Sequence, residues 1–215
     1  ASIMAKIFET VDRDSDDLAA LLYTSGTTGR SKGAMLTHNN LLSNAKTLTD
    51  LWEVSENDIL IHALPIFHTH GLFVALNTAL LSGCQVNFLF KFDIDEVIRA
   101  MHSSTLLMGV PTFYTRLLAD RRLTANQTQK MRLFISGSAP LLAETHEEFT
   151  RRTGHHILER YGMTETSMIT SNPFNGERRP GTVGTALEDV EITIIDPDTG
   201  QKKAIGEIGG IEVRG

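Results

Sequence analysis

The chain has 215 residues, 41% of them apolar, with a formal net charge of −6. That length and apolar content suffice to bury a substantial core, and the mildly acidic balance argues against a nucleic-acid or anionic-membrane surface as main partner, because such partners need a basic face. Cys84 is the sole cysteine, so neither an internal disulfide nor a cysteine-based zinc cluster can form, which fits a reducing, cytoplasmic compartment.

Residues 18–22 form an apolar run that reads as a buried strand. After it come Tyr23, Thr24, Ser25, Gly26, Thr27, Thr28, Gly29, Arg30, Ser31, Lys32 and Gly33. This segment has three glycines, five serine or threonine hydroxyls and two cations, with no carboxylate. A helical pattern comes next: Thr37 is a suitable N-cap for a helix carrying Leu41, Leu42, Ala45, Leu48 and Trp52 on one face. Residues 59–64 read as a strand, and 71–81 as a largely buried helix closed by Gly83. The run 71–81 is the longest apolar stretch, contains Asn77 and Thr78, and is too short to span a bilayer. No basic-then-apolar leader opens the sequence, so nothing points to secretion.

Val86, Phe88 and Phe90 alternate like a half-buried strand. Asp93 with Glu96 resembles a capping box ahead of Val97, Ile98 and Met101. Residues 105–110 are a buried-strand run, with Pro111 where a first helical turn accepts proline. Residues 131–135 form another strand, and 141–153 an amphipathic helix stopped by Gly154. This alternation predicts an α/β fold with parallel strands and helical crossovers. After Glu165 the character changes: 172–184 read as a long loop, Val190, Ile192 and Ile194 alternate, 196–200 turn, and 207–213 return as a strand. We therefore expect an α/β core over 1–170 and a loop with a β-hairpin module over 171–215.

The segment 23–33 can aim backbone N–H groups and hydroxyls at one anion, because glycine lets the main chain turn and approach closely, while Arg30 and Lys32 supply charge. It departs from the Walker loop, since Ser31 rather than glycine precedes Lys32 and Gly33 follows it. A flexible surface loop is the plainer alternative. The string resembles the phosphate loop of the adenylate-forming superfamily, which includes acyl-CoA synthetases, luciferases and the adenylation domains of peptide synthetases. Three later segments match in order: Phe67-His68-Thr69-His70-Gly71, then Tyr161-Gly162-Met163-Thr164-Glu165, then Gly206-Glu207-Ile208 with Val213-Arg214-Gly215. Within the superfamily the segments 62–73, 108–114 and 158–165 look most like malonyl-CoA synthetases.

That resemblance implies activation of a small carboxylate, malonate or methylmalonate, by ATP with Mg²⁺, followed by transfer to coenzyme A. It implies that Thr24, Ser25, Gly26, Thr27, Thr28, Gly29, Arg30, Ser31 and Lys32 hold the β- and γ-phosphates, that Thr164 reaches the α-phosphate and that Glu165 holds the metal. Gly137, Ser138, Ala139 and Pro140 would lie against the adenine, with Glu159, Arg160, Tyr161, Gly162 and Met163 lining the nucleotide site. Lys32, His68, Thr164 and Glu165 are the expected catalytic set, and His68, Ser136 and Met163 would face the acyl group. It also implies a longer parent enzyme, with an N-terminal third and a C-terminal lysine-bearing domain outside this chain.

Two points stay open in the sequence. His68 and His70, with His62 upstream, could be a metal half-site, ordinary core histidines, or an acyl-pocket wall. A distal carboxylate on the substrate needs a cation, for which Arg116 in the helix after Pro111 is the candidate, with Arg178 and Arg179 competing. A general short- or medium-chain acyl-CoA synthetase and a non-catalytic nucleotide-binding module are the rival readings.

Overall fold

The computed structural model describes residues 9–24 and 32–215, so the loop residues Ser25, Gly26, Thr27, Thr28, Gly29, Arg30 and Ser31 lie outside the described residues. Two strands flank that loop, β1 (Leu18–Thr24) and β2 (Lys32–Thr37), paired antiparallel with Thr24 opposite Lys32. The buried strand expected at 18–22 is thus half of a separate two-stranded hairpin, and its outward face leaves Leu18 and Leu21 exposed. β2, which the sequence reading took for the approach to a helix, runs directly into α1 (His38–Leu51). Thr37 caps α1 as expected: its hydroxyl accepts from Asn40 N, and the Asn40 side chain accepts from Thr37 N.

The centre of the molecule is a seven-stranded sheet in the order β4-β3-β5-β6-β7-β8-β9. Its parallel part is β3 (Ile59–His62), β4 (Gln85–Phe88), β5 (Leu106–Gly109), β6 (Leu133–Ser136) and β7 (Leu158–Met163). Helices α2 (Leu76–Ser82), α3 (Ile94–Met101), α4 (Pro111–Ala119) and α5 (Ala143–Thr153) make the crossovers. Covered on both faces, β5 and β6 are buried throughout, as parallel strands between helices must be. Trp52, Val97, Met101, Tyr114, Leu117 and Phe149 close the core over them. Each such side chain contributes roughly 1.5–3 kcal/mol of burial.

Strand β8 (Ser167–Ser171) extends the sheet antiparallel to β7, β9 (Thr185–Ala186) pairs antiparallel with β8, and β10 (Glu191–Ile195) with β11 (Gly210–Arg214) forms the expected C-terminal hairpin. The helix expected at 71–81 is two elements: a π-helical segment, His70–Ala75, running into α2, which ends at Gly83 with φ 73°. Asp93 caps α3 by accepting from Asp95 N and Glu96 N. No helix among the described residues is long and apolar enough to cross a membrane.

Candidate functional site

Strands β3, β5 and β6 end at His62, Gly109 and Ser136, and the carboxyl ends of parallel strands are where open α/β sheets receive ligands. A cavity of about 630 Å³ opens there. Leu64, Val110, Phe113 and Met168 give it apolar walls, while Thr24, His68, Thr164 and Glu165 bring polar groups. A second cavity of about 260 Å³ is lined by Ala139, Pro140, Tyr161, Gly181 and Val183. Ser138, Arg160 and Gly162 face both.

The residues 164–166 turn from β7 to β8, which sets Thr164 and Glu165 at the mouth of the larger cavity. Thr24 at the end of β1 donates its hydroxyl to Glu165 Oε1 at 3.3 Å, so the loop end of the β1–β2 hairpin meets the acidic turn across 141 positions of sequence. Lys32, opposite Thr24, is exposed. Glu165 is exposed too, and no group of three His, Cys, Asp or Glu able to hold a metal occurs among the described residues. One open carboxylate fits Mg²⁺, which keeps several waters and shares its remaining positions with phosphate oxygens; it does not fit a fully protein-ligated ion.

Arg160 is 3% exposed, and its Nε and Nη2 have no hydrogen-bond partner among the described residues. Burial lowers its pKa to about 10, so it remains cationic at neutral pH. β7 brings it under the turn after β6: a Cβ on Gly137 would lie 2.4 Å from the guanidinium, so only glycine admits it. The next residue, Ser138, has a left-handed φ of 69° and lies 3.1 Å, Oγ to Nδ1, from His70. His70 sits in the π-helical segment, a local form frequent at functional sites, and its Nε2 is buried without a partner among the described residues. Burial first, then the charge of Arg160 and neighbouring His62, hold His70 well below the usual histidine range, so the ring is neutral.

His68 lines the larger cavity, exposed and tilted against Phe67 at 4.5 Å. His62 packs edge-on against Phe88 near His70, and the three histidines form no metal-holding group among the described residues. Met163, Thr164 and Glu165 line the larger cavity together with Thr24, and Ala139, Pro140, Tyr161 and Gly162 gather around the smaller cavity. Glu159 reaches that cavity, and its Oε1 accepts from Gly181 N at 3.0 Å and approaches His146 Nδ1 at 3.2 Å. Ser136 lines the smaller cavity and not the larger one.

The arginine candidates fall elsewhere. Arg116 is exposed over the Phe92 ring, 4.6 Å from its centroid, and lines neither cavity. Arg178 donates to the carbonyls of Pro173, His156 and Phe174, and Arg179 pairs with Glu177 on the surface. Arg160, assigned from sequence to the nucleotide side, is the buried cation with free donors. β7 is an interior strand between β6 and β8, its arginine packed against the turn at Gly137, and 167–171 carries no alternation that announces a strand.

The AMP-binding enzyme family matches residues 4–215. The chain is 40% identical over 221 residues to the malonate–CoA ligase of Arabidopsis thaliana, covering 94% of this chain and 36% of that protein. The crystal structure of ATP-bound MatB from Rhodopseudomonas palustris superposes with a TM-score of 0.96 at 60% identity, over 100% of this chain and 42% of that one. A malonyl-CoA ligase ternary product complex with methylmalonyl-CoA and AMP bound gives a TM-score of 0.85 at 40% identity, over 94% and 44%. The chain thus spans well under half the length of these relatives. Nearly the whole of it matches one family, and it belongs to the AMP-binding enzymes.

Proposed function

We propose that this chain carries the nucleotide and acyl sites of an ATP-dependent acid–thiol ligase that adenylates malonate or methylmalonate and passes the acyl group to coenzyme A. The observation that carries the reading is Arg160, a buried cation with unpaired Nε and Nη2 on the wall of a cavity whose mouth holds Thr24, Thr164 and Glu165. A buried unpaired guanidinium is costly unless a ligand supplies the counter-charge, and a distal carboxylate does so bidentately. His70 and Ser138 lie beside it as further polar groups for the same carboxylate.

In this mechanism an oxygen of the substrate's other carboxylate attacks the α-phosphorus, and the bond from phosphorus to the pyrophosphate oxygen breaks. Both reactants are anionic, so the chain's task is to neutralise charge and align the two groups. Residues 25–32 hold the β- and γ-phosphates, Thr164 donates to the α-phosphate, and His68 orients the incoming carboxylate. Bound at Glu165, Mg²⁺ supplies positive charge to the phosphate oxygens. The turn Gly137, Ser138, Ala139 and Pro140 carries the wall for the adenine, its last three residues lining the smaller cavity with Tyr161 and Gly162. The coenzyme A thiol then loses its proton, attacks the acyl carbon and displaces AMP.

The apolar walls Leu64, Val110, Phe113 and Met168 favour a second reading, a ligase for short monocarboxylates. A cytoplasmic location belongs to the proposal, on the composition alone: a single cysteine, Cys84, leaves no internal disulfide that would call for an oxidising compartment. ATP–pyrophosphate exchange by the full-length protein, compared across malonate, methylmalonate, acetate and butyrate, tests the reading. Exchange driven by the two dicarboxylates is the expected result; equal exchange with butyrate would refute the dicarboxylate assignment.

A further inference from the structure

The turn carrying Thr164 and Glu165 is poorly held by its own hairpin. The β7–β8 register shifts between Tyr161 and Gly162, so the last ladder pairs, Gly162 with Met168 and Met163 with Ser167, follow an irregularity. Ser167 has a left-handed φ of 55°, a strained conformation for a residue with a Cβ. Gly162 faces it so closely that an added Cβ would lie 2.1 Å from Ser167 O.

The missing support comes from α1. Asn44 Nδ2 donates to Met168 O at 2.8 Å, and Asn44 Oδ1 accepts from Met168 N at 3.3 Å. One amide side chain thereby contacts both backbone groups of the residue where β8 leaves the turn, as a neighbouring strand would. α1 itself continues from β2 without a break, and β2 starts at Lys32 opposite Thr24. The Thr24 hydroxyl bonded to Glu165 closes the circuit, so the phosphate-loop hairpin and the acidic turn are joined twice, once through α1 and once directly.

We infer that Asn44 is a positioning residue for Glu165: it fixes the 164–166 turn against α1, so that the carboxylate is held beside Thr24, at the end of β1 and opposite Lys32, for a bound nucleotide. This rests on the proposed role of Glu165 toward Mg²⁺–ATP. A third side-chain hydrogen bond ties β8 to the other end of α1, from the C-cap residue Trp52, Nε1 to Ser171 Oγ at 3.0 Å, and that one lies away from the turn. It provides the comparison a purely structural role requires.

The test uses the full-length protein with Asn44→Leu and Trp52→Phe, plus Asn44→Asp, which keeps the acceptor for Met168 N and sets a charge against Met168 O. Calorimetry measures ATP affinity with magnesium and in EDTA, hydrogen exchange reads amides 163–168, and the thermal midpoint reads global stability. Both Asn44 variants are expected to weaken Mg²⁺–ATP about tenfold, to leave metal-free ATP unchanged and to speed exchange at 163–168, Asn44→Leu by losing both modest hydrogen bonds and Asn44→Asp by losing one and setting a charge against Met168 O. Trp52→Phe is expected to lower the midpoint with the magnesium-dependent gain in affinity intact. If Asn44→Leu behaves like Trp52→Phe, the residue is structural and the inference fails. If wild-type protein binds ATP equally with and without magnesium, the assignment of Glu165 fails and this inference falls with it.

Discussion

Gly137, in the turn after β6, packs directly against the guanidinium that Arg160 extends from β7: a Cβ on the glycine would sit 2.4 Å from both Cζ and Nη1 of the arginine. The turn after β6 therefore rests on the guanidinium plane. Gly137→Ala must push that plane aside, and at 3% exposure Arg160 has little room to yield. The predicted outcome is a KM for malonate raised about tenfold or more with a smaller change for ATP, measured by steady-state kinetics of the full-length enzyme.

His62 is fully buried with neither ring nitrogen partnered among the described residues, and burial holds its pKa below the usual 6.5. The unfolded chain takes up a proton near pH 6.5 while the folded one resists, so stability is full above that value and falls as pH drops through the folded pKa, by at most about 1.4 kcal/mol per pH unit for this group. His62→Leu removes the orphaned nitrogens and keeps apolar contact with Phe88. The difference between thermal midpoints at pH 7.5 and 5.5 should shrink in the variant, without vanishing, because burial also depresses His70 and His155.

Asp58 joins three elements. It accepts from Arg132 Nε and Nη2 at 2.7 and 2.6 Å, from Ser55 N at 2.9 Å and from Thr105 Oγ1 at 2.7 Å. Burial pushes its pKa up, but the Arg132 guanidinium, the Ser55 amide and the Thr105 hydroxyl outweigh that and hold it below 3.8. The stabilisation is present above that value and is lost as pH falls through the folded pKa. Asp58→Asn should cost about 3 kcal/mol at pH 7, and the gap between the midpoints of variant and wild type should narrow toward pH 3.

The parallel layer was legible because its strands are short apolar runs punctuated by Thr37, Gly83, Pro111 and Gly154, each at a helix end for a local reason. β2, β7 and β8 were not, since Lys32–Thr37 and Leu158–Met163 mix polar and apolar residues without a period and owe their form to neighbours distant in sequence. The cost was borne at the site. Arg160 was assigned to the nucleotide side by resemblance, and a helical arginine, Arg116, was preferred for the distal carboxylate, although it stands exposed over Phe92 and lines neither cavity. The π-helical start at His70 was equally hidden, because a continuous apolar run carries no mark of one extra residue per turn.

The central claim is that Arg160 receives the far carboxylate of the substrate. It is tested most directly by comparing kcat/KM for malonate and butyrate in wild type and Arg160→Leu. The account predicts a loss of about a thousandfold for malonate, with butyrate unchanged or improved, because a dicarboxylate would then bury an unpaired charge against leucine. Equal losses for both acids, or a malonate rate that survives the substitution, would contradict it.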